Sequence, residues 1–273
     1  MIVLSVCNHK GGTGKTTSAI HVAAALGLSG YRVLVIDLDP QSFLTRMLGV
    51  DEPPEDRSSL MLFQAEEPLV HVPTLALKGF DLLPASTGLT RRLRRLNKPT
   101  DVFWAREALE QATGLYDVIL FDTAAALTVY SLNALVAAQH VLIPVTPEYQ
   151  PVLGSEQTYQ TVEMVRSRLN PDLGAPLFLF TQVDGRKRTH YRFRRYLRHR
   201  YGDRVMESVI RTSAALAASY EDGTTVFEHD PYSRGARDYA NATDELLRKF
   251  VPAAAEAPAA TTAPVTDAQG WRP

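Results

Sequence analysis

Asn8-His9-Lys10-Gly11-Gly12-Thr13-Gly14-Lys15-Thr16-Thr17 joins a short apolar run, Ile2–Cys7, to a segment of helical character, Lys15–Ser29. Glycine at 11, 12 and 14 lets the backbone curl until successive N–H groups point into one hollow. The N-terminus of the following helix adds partial positive charge there. Lys15 can then reach the β- and γ-phosphates of a nucleotide, and Thr16 can offer its hydroxyl to Mg²⁺. A strict P-loop has glycine five residues before Gly14, where this chain has His9. What stands is the variant Lys-Gly-Gly-x-Gly-Lys-Thr-Thr, headed by an additional lysine, Lys10. The plainer alternative is a glycine-rich turn that only joins strand to helix. A match of this length at a strand–helix junction argues against it.

Working outward, Val33-Leu34-Val35-Ile36 runs into Asp37-Leu38-Asp39-Pro40-Gln41, and Val118-Ile119-Leu120-Phe121 runs into Asp122. A carboxylate at the carboxyl end of a buried strand is where open α/β sheets place ligand chemistry. Asp122 fits a Walker B acid holding Mg²⁺ through water. Each aspartate alone could be an exposed strand end or a helix cap; the set points to a nucleotide site.

The runs Ile2–Cys7, Arg32–Ile36, Val118–Phe121, Val141–Val145 and Leu177–Phe180 are apolar without alternation, as in strands buried on both faces. Phe80–Leu83 and Val205–Ile210 read as further strands. Helical patterns fall at Lys15–Ser29, Val102–Ala112, Ser131–Ala138 and Ser155–Leu169, the last with Val162, Val165 and Leu169 on one face. The expectation is an α/β P-loop fold, a mainly parallel twisted sheet with helices on both faces. Residues 51–58 read as an exposed acidic loop. One domain is expected over 1–251, followed by a disordered Ala/Pro-rich tail over 252–273.

The chain has 273 residues, with 29 Lys plus Arg against 30 Asp plus Glu, so no global field points to nucleic acid or membrane. The one cysteine, Cys7, excludes an intramolecular disulfide framework or a Cys₄ zinc site and reads as a small buried hydrophobe. A reducing, cytoplasmic address follows as the default. No apolar stretch is long enough for a signal peptide or a membrane span.

With these motifs in place the chain resembles the ParA/Soj family of partition ATPases, within the group that includes MinD and the nitrogenase iron protein. The resemblance covers roughly residues 1–250. It is carried by the two-lysine loop and Asp37-Leu38-Asp39-Pro40-Gln41, with support from Leu132–Leu135, Val141–Val145, Glu148-Tyr149 and Ser233–Ala236. It implies ATP and Mg²⁺ as cofactors, with Lys10, Gly11, Gly12, Thr13, Gly14, Lys15, Thr16 and Thr17 around the phosphates. Lys10 would cross a dimer interface to the partner's ATP, Asp39 would position the attacking water, and Asp37 would support a metal shell with Thr16 and Asp122. Thr181 to Asp184 would lie where relatives contact adenine. A ParB-type centromere-binding protein would stimulate slow hydrolysis, and the protein would be nucleoid-associated. The family usually follows its Walker B aspartate with proline; here Asp122 is followed by Thr123-Ala124-Ala125-Ala126.

Arg186, Lys187, Arg188, Arg192, Arg194, Arg195, Arg198, Arg200 and Arg204 crowd one span opposed only by Asp203. On a helix, Phe193, Tyr196, Leu197 and Tyr201 form an apolar stripe that leaves Arg194, Arg195 and Arg198 outside. Lacking local acids, such a face calls for an external polyanion; the alternative is a surface helix paired with acids from elsewhere. The family resemblance favours nonspecific double-stranded DNA, with Arg211 a second candidate. Arg91-Arg92-Leu93-Arg94-Arg95 is a further basic cluster with no family position behind it.

Other branches remain to be weighed. A bridging iron–sulfur cluster needs two cysteines per chain, and a MinD-like membrane role needs a basic amphipathic C-terminus. Neither is present in this sequence. A P-loop ligase of the dethiobiotin synthetase type would share the fold, and a ParA-like positioner of non-DNA cargo would share the ATP chemistry.

Overall fold

The alternation of β-branched runs with helical segments builds one eight-stranded sheet, in a computed structural model that describes residues 1–64, 69–110 and 112–250. In chain order the elements are β1 (Ile2–Val6), α1 (Lys15–Leu28), β2 (Val33–Asp37), α2 (Phe43–Met47), β3 (Leu75–Ala76), β4 (Asp81–Leu83), α3 (Gly88–Leu93), α4 (Trp104–Glu110) and β5 (Val118–Asp122). There follow α5 (Val129–Ala137), β6 (His140–Val145), α6 (Tyr149–Arg168), β7 (Leu177–Val183), α7 (Arg188–Tyr201), β8 (Val205–Arg211), α8 (Ala214–Glu221), α9 (Val226–His229) and α10 (Arg234–Phe250).

The strand order is β3-β4-β2-β5-β1-β6-β7-β8, parallel except for the antiparallel β3–β4 pair. Alternate residues of each strand feed two cores. Leu34 and Ile36 pack with Phe121 and Phe178 on one face. Val33 and Val35 pack with Ile20, Leu120 and Met206 on the other, beneath α1 and α10. Burial on both faces is why these strands read as unbroken apolar runs.

The register fixes the site. Val6 pairs with Asp122 across β1–β5, and Asp37 pairs with Asp122 across β2–β5. The loop after β1 and both strand-end carboxylates therefore share one edge of the sheet, beside the β1 switch point.

Every strand expected from sequence is present, with ends moved by a residue or a few. The expected helix at Ser155 starts earlier, at Tyr149. Pro151 falls in its first turn, where proline is tolerated because its missing N–H has no helical partner. The short pieces β3, α2, α3 and α9 carried too few periodic positions to be read. The 51–58 loop is exposed as expected until Ser58, which is buried. The expected tail over 252–273 lies outside the described residues. Among the described residues no helix is long and apolar enough to cross a membrane.

Candidate nucleotide site

Gly12 and Gly14 have φ of 74° and 83°, left-handed values that a side chain would disfavour, and they curl the loop between β1 and α1. Its outer side is braced from three directions. Asn8, fully buried, accepts the Lys10 N–H at 3.0 Å and donates to the Pro144 carbonyl on β6 at 2.8 Å. The His9 N–H donates to Thr158 Oγ1 on α6 at 2.9 Å. A Cβ on Gly154 would come within 3.2 Å of Lys10 Cβ, so the glycine lets α6 lie against the loop. From β7, Thr181 Oγ1 donates to the Thr13 carbonyl at 2.8 Å and Gln182 Nε2 to the Gly12 carbonyl at 2.9 Å.

The two lysines diverge. Lys15 is buried, with Nζ donating to the Lys10 carbonyl at 3.2 Å across the loop. Burial pushes its ammonium below the usual lysine range, while Asp122 and Asp39 pull it back up. Lys10 turns outward, and its Nζ donates to Gln150 Oε1 at 3.1 Å at the surface.

Thr16 Oγ1 donates to Asp122 Oδ2 at 2.8 Å. The other oxygen, Asp122 Oδ1, is buried with no hydrogen-bond partner. Burial raises the Asp122 carboxyl well above its ordinary range, and Asp37 next to it adds to the rise. A buried acceptor beside a threonine hydroxyl, at the mouth of a backbone nest, suits a hydrated Mg²⁺ carried with phosphates. Among the described residues no group of three or more His, Cys, Asp or Glu could hold a metal unaided.

Asp37 lies beside Asp122 in register and is held by the turn that follows it. Its Oδ1 accepts the Asp39 N–H at 3.0 Å, and its Oδ2 accepts the Thr45 N–H at 3.1 Å and the Thr45 hydroxyl at 2.7 Å. With its oxygens so engaged, Asp37 shapes the turn that carries Asp39. Burial lifts its carboxyl to about 6 against these hydrogen bonds. Asp39 is half-buried on that turn and accepts the Gln41 N–H. Thr17 offers its carbonyl to His21 Nδ1 at 2.8 Å. Thr181 is turned to the loop, and Asp184 is engaged by Arg186, so the expected adenine contacts hold the protein's own groups. Cys7 is buried as expected, its thiol pushed up to about 12 by burial.

The arginine run needs correction. Arg195 lies outside, but Arg194 and Arg198 have side chains only 29% and 35% exposed and turn to Glu207 on β8. Arg200 pairs with Glu156 on α6 at 3.1 Å, and Arg186 with Asp184 at 2.9 Å. Arg211 is held by Asp238 on α10, itself 5% exposed, through Nε at 3.0 Å and Nη2 at 2.5 Å. The sequence neighbourhood holds few acids because other elements supply them. Among the described residues Lys187, Arg188, Arg192 and Arg195 form no ion pair, and all four are exposed. Tyr196 also leaves the expected apolar stripe: it is exposed, and its hydroxyl donates to Glu156.

Sequence reading missed Asn8, Gln150 and Gln182, which act by position. Only Asn8 carried a signal, its place at the head of the phosphate loop.

A family described as an AAA domain matches residues 1–175. The chromosome-partitioning ATPase Soj of Thermus thermophilus is 38% identical over 249 residues, covering 90% of this chain and 95% of that protein. The chromosome partitioning protein ParA of Myxococcus xanthus is 30% identical over 256 residues, 92% of this chain and 89% of that one. Among solved structures, cobyrinic acid a,c-diamide synthase from Mycobacterium smegmatis, with a bound ATP analogue and magnesium, superposes with a TM-score of 0.77. It shares 31% identity and covers 92% of this chain and 96% of that one.

Proposed function

The chain belongs to the ParA/Soj family of partition ATPases, and from that premise we propose a cycle of ATP-driven association and release. Its chemistry is hydrolysis of ATP with Mg²⁺. In the proposed cycle two copies meet across their phosphate loops with ATP between them, and the dimer holds double-stranded DNA without sequence preference. Hydrolysis, accelerated by a ParB-type partner, then releases it.

One observation carries the reading: the two loop lysines point in different directions. Lys15, drawn inward, neutralises phosphate charge within its own subunit. Lys10, held at the surface by Gln150, is free to reach a triphosphate presented by a second copy. Magnesium, when bound, neutralises charge developing on the phosphates. Asp39, at the loop mouth, orients the attacking water, and Asp37 fixes the turn that aims it. Such catalysis is positioning and charge neutralisation rather than covalent work. Lys187, Arg188, Arg192 and Arg195 carry the proposed DNA contact, as unpaired cations that touch phosphates rather than bases.

Gel filtration with and without ATP, followed by DNA retention at rising salt, tests the cycle. An ATP-independent monomer with no DNA retention overturns it. The likeness to the Mycobacterium smegmatis synthase supports a second reading, a P-loop ligase, in which turnover requires a small acceptor molecule. A positioner of non-DNA cargo would dimerise with ATP yet leave DNA free.

A further inference from the structure

Along a regular strand, neighbouring side chains point to opposite faces, so Thr181 and Gln182 should not both reach one loop. Both do, through the Thr13 and Gly12 carbonyls. The β7–β8 pairing shows how. Phe180 pairs with Val209 and Val183 with Arg211, so β7 carries one more residue than β8 across that interval. This is a β-bulge, a device that re-aims side chains beside functional sites. Gln182 sits in it with φ of 52°, in the left-handed region where a residue of its type is uncommon.

The consequence follows from peptide planarity. In a trans peptide the carbonyl of one residue and the N–H of the next point in opposite directions. Pulling the Gly12 carbonyl outward turns the Thr13 N–H inward, and pulling the Thr13 carbonyl outward does the same for the Gly14 N–H. We propose that the bulge at the end of β7 clamps the phosphate loop in its anion-binding shape, with Gln182 a positioning residue for nucleotide. Thr181, buried beneath the loop, also serves packing; Gln182 is exposed, and its strained backbone is maintained for the bond it makes.

Gln182→Gly removes the amide donor while relieving the left-handed strain, and Gln182→Met removes the donor but keeps the length. Binding of a fluorescent N-methylanthraniloyl ATP and the melting temperature of the nucleotide-free protein are measured for each. The expected result is a roughly threefold to tenfold weaker Kd in both, the worth of one hydrogen bond. The nucleotide-free Gln182→Gly protein should melt at or above the parent's temperature. Parent-like affinity in Gln182→Gly overturns the inference, as does an affinity loss matched by a lower melting temperature. The inference rests on the ATP-site reading. A parent that fails to bind the probe counts against that reading, whereas a parent and variant that bind alike sink only the clamp.

Discussion

Asp37 and Asp122 stand opposite one another in register on neighbouring parallel strands, and neither has any exposed surface. Burial is the largest cause of the rise in both; Asp37 then adds to the rise of Asp122, whereas hydrogen bonds from Thr45 and the Asp39 N–H work against the rise of Asp37. For Asp37 the rise is from 3.8 to about 6. The folded protein therefore holds a proton that the unfolded chain releases between those values. Its contribution is complete below pH 3.8 and lost as pH rises through about 6. Without nucleotide, Asp37→Asn should flatten this fall, worth at most about 3 kcal/mol. Urea melts at half-unit pH steps read it directly; an unchanged difference between variant and parent from pH 4 to 6.5 contradicts the assignment.

His21 opposes that slope. It is fully buried on α1, with Nδ1–H donating to the Thr17 carbonyl and Nε2 accepting the Val226 N–H at 3.0 Å. Tyr239 stacks on its ring at 4.9 Å. Burial lowers it from 6.5 to about 4, so the unfolded chain takes up a proton the folded one refuses. Its contribution is present above pH 6.5 and lost as pH falls towards 4. His21→Leu strands the buried Val226 N–H and should cost about 1–3 kcal/mol. It should also leave stability falling more steeply with rising pH than in the parent. A variant curve parallel to the parent's shows that the imidazole does not titrate between the two states.

The sheet, its parallel sense and the phosphate loop were legible because each has a dense local signature. Doubly buried strands lack alternation, and the loop needs glycine at fixed places beside Lys15 and Thr16. The arginine face was legible as charge but not as free charge. Glu207, Glu156 and Asp238 come from β8, α6 and α10, and only the tertiary structure pairs them with Arg198, Arg200 and Arg211. The place of Asp37 at a strand end was legible, but its engagement by Thr45 depends on how α2 folds back, which no spacing reveals. Gln182 was hidden for the same reason: a bulge is a mismatch between two strands and is absent from either one alone.

The diverging lysines separate binding from association. Lys15→Ala should abolish ATP binding. Lys10→Ala should retain nucleotide within several-fold of the parent and lose the ATP-dependent dimer, since its ammonium contacts Gln150 rather than its own loop. Asp39→Ala should bind ATP, hydrolyse it at least tenfold more slowly and remain dimeric on DNA. Equilibrium binding of labelled ATP beside gel filtration distinguishes the three. A Lys10→Ala protein that still dimerises with ATP removes the proposed bridge.

Glu207 offers the sharpest test of the proposed DNA face. Its side chain is 77% exposed, yet it holds Arg194 and Arg198, and they in turn pull its carboxyl below the usual range. Glu207 itself stands in solvent, so its pairs with the two half-buried arginines contribute modestly and Glu207→Ala should lower the melting temperature only slightly. It should release Arg198 towards the face already bearing Arg192 and Arg195, while Arg194 keeps its bond to the carbonyl of residue 207. Affinity for duplex DNA should rise, and the slope of log K against log salt should steepen by about 0.9 for each phosphate newly neutralised. Arg192→Ala with Arg195→Ala should move both quantities the other way. Arg211→Ala should instead lower stability by about 1–3 kcal/mol, because buried Asp238 loses the guanidinium and keeps only the backbone N–H of residue 211. If Glu207→Ala weakens DNA binding, or the Arg192/Arg195 pair leaves the salt slope untouched, α7 is not the surface that meets the phosphates.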